Sequence, residues 1–123
     1  GSQIVFSSDR NECGDYHNGR GAMNLFLISP ETKNIRYLSR GCWVDAHARW
    51  SPDQKKVLFI SDREGVFDLY DTDMDGNVVR RTFIRSAAFT PVWLPDQSGA
   101  VFVGFRAGSS GTIYCRHKRN RRR

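Results

Sequence analysis

The chain has 123 residues and a mass of 14.1 kDa, which is enough for one domain. Hydrophobic residues make up 39% and charged residues 26%, and no uncharged run reaches the roughly 18 residues that a membrane-spanning helix needs. The net charge is +6, but residues 116–123 hold six of the basic side chains, so residues 1–115 are neutral overall. A basic nucleic-acid-binding surface across the whole domain is therefore not expected.

The termini and the cysteines leave the cellular compartment open. The N-terminus carries no signal-peptide pattern, and we interpret Gly1-Ser2 as a remnant of cloning. Cys13, Cys42 and Cys115 form no CxxC pair, which gives a structural zinc site no support. One disulfide in an exported protein and three thiols in a cytosolic protein both fit these residues.

Runs rich in Val, Ile, Leu, Phe and Tyr, separated by turn residues, predict strands along the chain. In chain order they form groups of three, four and three: 3–8, 24–29 and 34–39; 45–50, 56–61, 67–73 and 78–83; 88–93, 100–104 and 111–116. No sustained apolar pattern of period 3.6 is present, so no helix is predicted.

A polar, glycine-rich insertion at 11–23 separates the first two predicted strands. It is about nine residues longer than the matching segment 64–66 of the second group. Inserted loops of repeat proteins are frequent binding sites, so Tyr16, His17 and Arg20 are candidate binding residues. An idle surface loop is the alternative.

The three groups repeat at a spacing of about 43 residues. Trp50-Ser51-Pro52-Asp53-Gln54 recurs 43 positions later as Trp93-Leu94-Pro95-Asp96-Gln97, and an apolar run follows each copy. Four strands in a unit of this length are typical of a propeller blade.

The second group resembles the TolB-type, WD-like propeller repeat, and the resemblance extends over residues 3–115. Four motifs carry it: Trp50-Ser51-Pro52-Asp53, Ser61-Asp62-Arg63, Leu69-Tyr70 and Asp75-Gly76. The resemblance implies an all-β fold, a partial β-propeller of about two and a half four-stranded blades. Its parts are an incomplete blade 3–39, a full blade 45–83, an incomplete blade 88–115 and a basic tail 116–123.

A partial propeller leaves the outer faces of its end blades uncovered. We therefore expect two chains to complete a six-bladed ring by homodimerisation; the alternative is a piece cut from a longer propeller. The resemblance also favours the bacterial periplasm. In one respect the chain departs from the family pattern, because Gln54 and Gln97 replace the glycine of the Pro-Asp-Gly turn, where a left-handed residue is costly.

Asp45 and His47 are two residues apart and are expected to share one face of the innermost strand of the full blade, near the central channel. Lyases built on TolB-like propellers hold a metal with histidines in this channel, but the counterpart of His47 in the third group is Thr90. We therefore predict no metal and no cofactor, and we retain Asp45 and His47 as binding candidates. Cys42 and His47 could suggest a thiol nucleophile with its base, but no third orienting residue is evident.

Two further motifs have ordinary structural interpretations. Asp71-Thr72-Asp73-Met74-Asp75-Gly76 begins like a calcium loop, but Thr82 stands where the twelfth ligand should be a carboxylate, so we predict a hairpin turn. Aromatic residues at the repeat spacing are predicted to form core between blades: Trp50, Trp93, Phe59, Phe102, Tyr70 and Tyr114.

The basic tail lacks interleaved aromatic residues, and a solvated segment is its default interpretation. Its cationic residues are Arg116, Lys118, Arg119, Arg121, Arg122 and Arg123. The sequence thus predicts a non-enzymatic, homo-oligomeric scaffold that presents its rim loops to a protein or a small polar ligand. The alternatives are a propeller-type enzyme with a channel metal site, namely a lyase or a peptidase-associated domain, and nucleic-acid binding through the tail.

Overall fold

A computed structural model describes residues 3–11, 13, 15–16, 20–83, 87–106 and 109–117. Within them there is no helix, and so none long and apolar enough to cross a membrane. The strands are β1 (Ile4–Ser8), β2 (Asp15–Tyr16), β3 (Arg20–Gly21), β4 (Asn24–Ile28), β5 (Ile35–Tyr37), β6 (Asp45–Trp50), β7 (Lys56–Ser61), β8 (Asp68–Asp73), β9 (Val78–Arg80), β10 (Ala88–Trp93), β11 (Gly99–Arg106) and β12 (Ser109–His117).

Ten of these strands form three antiparallel sheets that follow one another along the chain. The first sheet has the order β1-β4-β5, the second β6-β7-β8-β9 and the third β10-β11-β12. This is the grouping of three, four and three that the sequence predicts. β5 and β9 end earlier than predicted, at Tyr37 and Arg80, whereas β12 extends through His117.

The insertion contains a hairpin that the sequence did not predict. β2 and β3 pair antiparallel, with Asp15 opposite Gly21 and Tyr16 opposite Arg20. Each strand has only two residues, which is too short to show an alternation of apolar and polar residues. The expectation of a plain loop at 11–23 was therefore wrong for this part of it.

Apolar side chains between the sheets form two core clusters. The first joins the first and second sheets through Leu25, Leu27, Leu38, Val57, Phe59 and Tyr70. The second joins the second and third sheets through Leu58, Ile60, Leu69, Ala88, Ala100 and Phe102. The predicted role of Phe59, Tyr70 and Phe102 between sheets is thus confirmed, and Trp50 and Trp93 pack at the margins of the two clusters.

Neighbouring sheets are also joined by repeated backbone hydrogen bonds. The N–H of Asp45, which begins β6, donates to the carbonyl of Met23 at 2.8 Å. The N–H of Ala88, which begins β10, donates to the carbonyl of Phe67 at 2.9 Å. The chain therefore connects each sheet to the next in the same way, at the start of the first strand of the new sheet.

Strand β6 and its counterpart β10 are interrupted at equivalent positions. The register shifts between Ala46 and Arg49 in β6, and again between Phe89 and Val92 in β10. His47 and Thr90 occupy these irregularities with φ of 55° and 50°. A β-bulge of this kind changes the direction of the side chains that follow it.

The outer face of the first sheet, opposite the first core cluster, is largely apolar. The register sets Ile4, Ile28 and Ile35 in one cross-strand row. A second row contains Phe6, Phe26 and Tyr37, whose rings contact one another. Within the described residues no other sheet lies against this face; Ile4 is 53% exposed and Ile35 is 37% exposed.

The outer face of the third sheet is apolar as well. Val101 and Val103 alternate with the core residues Ala100 and Phe102, so they face away from the second sheet. Val92, opposite Val101 in the register, is 52% exposed. Both end sheets therefore carry apolar side chains on the side that faces no neighbouring sheet among the described residues.

Candidate functional site

The insertion is held at its base by a side chain that precedes the hairpin. The amide of Asn11 donates to the carbonyl of Ala22 at 2.9 Å, and its Oδ1 accepts the N–H of Cys13 at 3.0 Å. Of the predicted binding residues, Tyr16 and Arg20 are cross-strand partners in β2 and β3, whereas His17 lies outside the described residues. The structure thus brings Tyr16 and Arg20 together at the end of the hairpin.

A disulfide ties the insertion to the segment between the first and second sheets. Cys13 in the insertion is bonded to Cys42, which stands just before β6, across 29 positions in the sequence. The sequence left one disulfide and three thiols open, and the structure selects a disulfide. Cys42 is therefore no thiol nucleophile, and the pair that it formed with His47 in the sequence is eliminated.

The segment Gly41–Trp43 next to this disulfide is closely packed. A Cβ atom at Gly41 would lie 2.0 Å from the ring of Trp43, so only glycine fits there. The guanidinium of Arg63 also packs on aromatic rings in this region. It lies 4.7 Å from the centre of the Trp43 ring and 5.0 Å from the centre of the Tyr70 ring. Such contacts between a cation and an aromatic face stabilise both partners.

Asp45 lies at the centre of a buried polar network. Its side chain is fully buried, and Arg63 donates to Oδ1 at 2.9 Å. Its Oδ2 accepts hydrogen bonds from Ser39 Oγ at 2.7 Å, Trp43 Nε1 at 3.2 Å and Asn24 Nδ2 at 3.3 Å. The network joins the first sheet, the connecting segment and the second sheet around one carboxylate.

His47 is separated from this network. Its side chain is exposed, and Nδ1 accepts the N–H of Thr90 in the third sheet at 3.1 Å. The expectation that Asp45 and His47 share one face was wrong, because the bulge between Ala46 and Arg49 breaks the alternation of β6. Asp45 connects the second sheet to the first, and His47 connects it to the third.

The two turns with glutamine in place of glycine interact directly. Gln54 and Gln97 have φ of 62° and 63°, which confirms the left-handed conformation that the motif predicts. The amide of Gln97 donates to Asp53 Oδ2 at 3.1 Å and accepts the N–H of Asp53 at 3.1 Å. Hydrogen bonds from Ser51, the backbone of Lys55 and Gln97 lower the pKa of Asp53 from 3.8 to about 2.

The acidic hairpin at 71–76 is a turn. Asp73 accepts the backbone N–H groups of Asp75 and Asn77 at 2.9 and 3.0 Å. These hydrogen bonds lower the pKa of Asp73, with the side chain of Asn77 as the largest cause. Asp71, within β8, forms an ion pair with Arg81, which directly follows β9. The prediction of a hairpin turn is confirmed, and no group of three or more His, Cys, Asp or Glu with metal-binding geometry is found among the described residues.

The predicted basic tail begins within a strand. Arg116 and His117 are the last two residues of β12, and Arg116 lies opposite Ala100 in the register. Lys118, Arg119, Arg121, Arg122 and Arg123 lie outside the described residues.

Sequence reasoning missed the contacts that hold the site together. The disulfide, the clamp of Asn11 and the pair of Asp53 with Gln97 all join residues far apart in the sequence. One available signal was the position of the cysteines, since Cys13 stands in the insertion and Cys42 directly precedes a predicted first strand. The replacement of both turn glycines by glutamine was a second signal.

No protein-family model matches the sequence. Among curated proteins, "Uncharacterized peptidase YuxL" of Bacillus subtilis is 33% identical over 90 residues, which are 71% of this chain and 14% of that protein. "Protein TolB homolog" of Chlorobium chlorochromatii is 39% identical over 54 residues, 43% of this chain and 12% of that protein. The chain therefore spans a small part of the relatives that it matches.

Solved structures share the fold over almost the whole chain. TolB from Acinetobacter baumannii matches 96% of this chain and 28% of its own, with a TM-score of 0.79 and 22% identity. The structure titled putative TolB from Agrobacterium tumefaciens matches 94% of this chain and 45% of its own, with a TM-score of 0.73 and 17% identity. These likenesses agree with the repeat motifs and with the three successive sheets, and they confirm that this all-β chain is TolB-like, with the fold of a TolB propeller.

Proposed function

We propose that the chain is a non-enzymatic binding scaffold that pairs with a second copy to close a six-bladed ring. The TolB-like propeller fold supports a scaffold or binding role. The observation that carries the pairing is the apolar outer face on each end sheet. Ile4 and Ile35 on the first sheet and Val92 on the third are among the most exposed large hydrophobic residues described.

In a twofold dimer, the outer face of the first sheet of one chain packs against the outer face of the third sheet of the other. Both contacts form at once, as twofold symmetry requires. Each contact removes apolar surface from water, worth about 25 cal/mol for every Å² buried. The hairpin of the insertion, fixed by the disulfide, would present Tyr16, His17 and Arg20 to a protein or a small polar ligand.

The disulfide supports a location outside the reducing cytosol. Disulfides persist in the periplasm and outside cells, and they are rare among cytosolic proteins. Together with the TolB-like repeat, the bond between Cys13 and Cys42 favours the bacterial periplasm as the site of action.

Light scattering coupled to size exclusion tests the pairing. A mass of about twice 14.1 kDa at micromolar concentration is the expected result. A stable, folded species of 14.1 kDa would contradict the proposal.

A second candidate function is a peptidase-associated propeller segment. The 33% identity with a curated uncharacterized peptidase over 71% of this chain favours it, and the tricorn protease shares the fold with a TM-score of 0.62. Hydrolysis of labelled casein by the purified chain, or a stoichiometric metal in elemental analysis, would favour this candidate over the scaffold.

A further inference from the structure

The first strands of the second and third sheets are joined by two hydrogen bonds. The N–H of Thr90 donates to Nδ1 of His47 at 3.1 Å, and Nε1 of Trp93 donates to the carbonyl of Arg49 at 3.3 Å. In a propeller, whose sheets surround a central channel, the first strand of each sheet is the innermost one. We call this junction of β6 with β10 the inner joint. Both of its strands belong to the described chain, so the joint needs no further blade to form.

His47 is held in one orientation at the inner joint. Its backbone is left-handed, with φ of 55°, and it is bonded to Thr90, whose φ is 50°. Its ring also lies 6.4 Å from the ring of Phe89, measured between centroids. Residues other than glycine rarely adopt this backbone conformation, and it persists only where the surrounding structure fixes it. The imidazole is therefore positioned through its backbone and through its ring.

The hydrogen bond from Thr90 also determines which ring nitrogen can donate. A nitrogen that accepts a hydrogen bond carries no proton, so the neutral imidazole of His47 has its N–H at Nε2. The side chain is exposed, and Nε2 has no hydrogen-bond partner within the described residues. The inner joint thus presents a fixed donor that the fold does not use.

Arg49 adds a positive charge on the same side of β6. Trp50 packs against the first core cluster, so its neighbour Arg49 faces the opposite side of the sheet, toward the third sheet. The side chain of Arg49 is exposed and forms no ion pair within the described part of the chain. The side chain of Thr90 is exposed beside it and supplies a hydroxyl group.

The exposed side chains of the inner joint include no carboxylate. β6 and β10 contain one acidic residue, Asp45, which is fully buried and paired with Arg63. A guanidinium and an N–H group bind a carboxylate through charge-assisted hydrogen bonds. One arginine beside a neutral imidazole balances the single charge of a carboxylate. It would leave a phosphate, with a charge of about −1.5 to −2 at neutral pH, only partly compensated.

We propose that His47, Arg49 and Thr90 form a binding site for a carboxylate group at the inner joint. The carboxylate accepts hydrogen bonds from Nε2 of His47 and from the guanidinium of Arg49, and the hydroxyl of Thr90 donates a third. The inference rests on the proposed binding function and assigns its ligand to a chemical class. It locates that ligand beside the channel rather than on the insertion.

N-acetyl-diglycine and its C-terminal amide are a matched pair of probes, because they differ only in the carboxylate. We expect titration of the isotope-labelled full chain with the acid, at neutral pH and constant ionic strength, to shift the NMR resonances of the His47 ring saturably. The amide should not shift them. Inorganic phosphate, in a parallel titration, should bind more weakly than the acid.

Variants of the chain identify the residues that bind. Arg49→Gln should weaken binding of the acid about tenfold, the loss expected for one charge-assisted hydrogen bond. His47→Asn keeps a residue that tolerates the left-handed backbone and should weaken binding about fivefold, followed at the side-chain N–H of Arg49. Arg36→Gln, a matched change of an exposed arginine in β5, should leave the affinity within about twofold.

Three results would overturn the inference: no saturable shift or equal shifts with the acid and the amide, equal affinities of the Arg49→Gln and Arg36→Gln chains, or tighter binding of phosphate than of the acid. Failure here is distinguishable from failure of ring closure, because the site lies within one chain. A monomeric chain that binds the acid contradicts only the dimer. A dimer that does not bind the acid contradicts only the carboxylate site.

Discussion

At the scale of single residues, one buried carboxylate joins the first sheet to the second. Asp45 is fully buried and accepts hydrogen bonds from four side chains, including the guanidinium of Arg63. A buried charge of this kind is tolerated because it is paired, and loss of one partner leaves the other uncompensated.

We expect Asp45→Asn to lower the free energy of unfolding by about 3 kcal/mol, because Arg63 loses its ion pair while its side chain remains 14% exposed. Urea unfolding followed by tryptophan fluorescence measures this change. The matched substitution Asp75→Asn, in the exposed turn between β8 and β9, should change stability by less than about 0.5 kcal/mol. Equal effects of the two substitutions would contradict the structural role of Asp45.

The two left-handed glutamines are expected to respond differently to glycine. Gln54→Gly relieves the backbone and should raise stability by about 0.5 kcal/mol. Gln97→Gly also removes two hydrogen bonds to Asp53 and should lower stability by about 1 kcal/mol. Urea midpoints of the two variants provide the test, and the order of the two values is decisive.

The carboxyl of Asp53 gives one acid-dependent contribution to stability. Its pKa is about 2 in the folded chain against an ordinary value of 3.8, so the contribution is present above pH 3.8 and is lost as the pH falls toward 2. Titration by NMR should show this low value, and Gln97→Ala should move it upward because one stabilising hydrogen-bond donor is lost. An unchanged value in the Gln97→Ala chain would contradict the assigned cause.

At the scale of elements, the strands follow from sequence and the contacts that join them do not. The repeat motifs and the runs beside them specify the bounds of β6, β7 and β10 to the residue, because each of these strands adjoins a Pro-Asp turn of the repeat. The hairpin of β2 and β3 was missed because four residues carry too little pattern. The separation of Asp45 from His47 was missed because a bulge depends on the pairing with the neighbouring strand.

The disulfide should be the main stabiliser of the insertion. Because it closes a loop across 29 positions, replacing both Cys13 and Cys42 by serine should lower the free energy of unfolding by about 3 kcal/mol. Chemical unfolding with and without reductant measures the effect. Cys115→Ser is the control and should leave the response to reductant unchanged.

At the scale of the whole molecule, the proposed pairing depends on the end sheets. Ile35→Lys places a charge on the outer face of the first sheet and should convert the proposed dimer to a monomer, because an unpaired charge is costly in an apolar contact. Val79→Lys, at a residue 44% exposed on the middle sheet, should remain dimeric. Light scattering at equal concentration measures both. A dimeric Ile35→Lys chain would show that the pairing uses another surface.

The way in which the insertion is anchored has a consequence for its evolution. Asn11 closes the base of the insertion, and the bond between Cys13 and Cys42 fastens it to the segment that leads into the second sheet. Both anchors therefore lie at the base of the insertion, which makes the stretch between them a natural position for grafting recognition sequences of different length and chemistry.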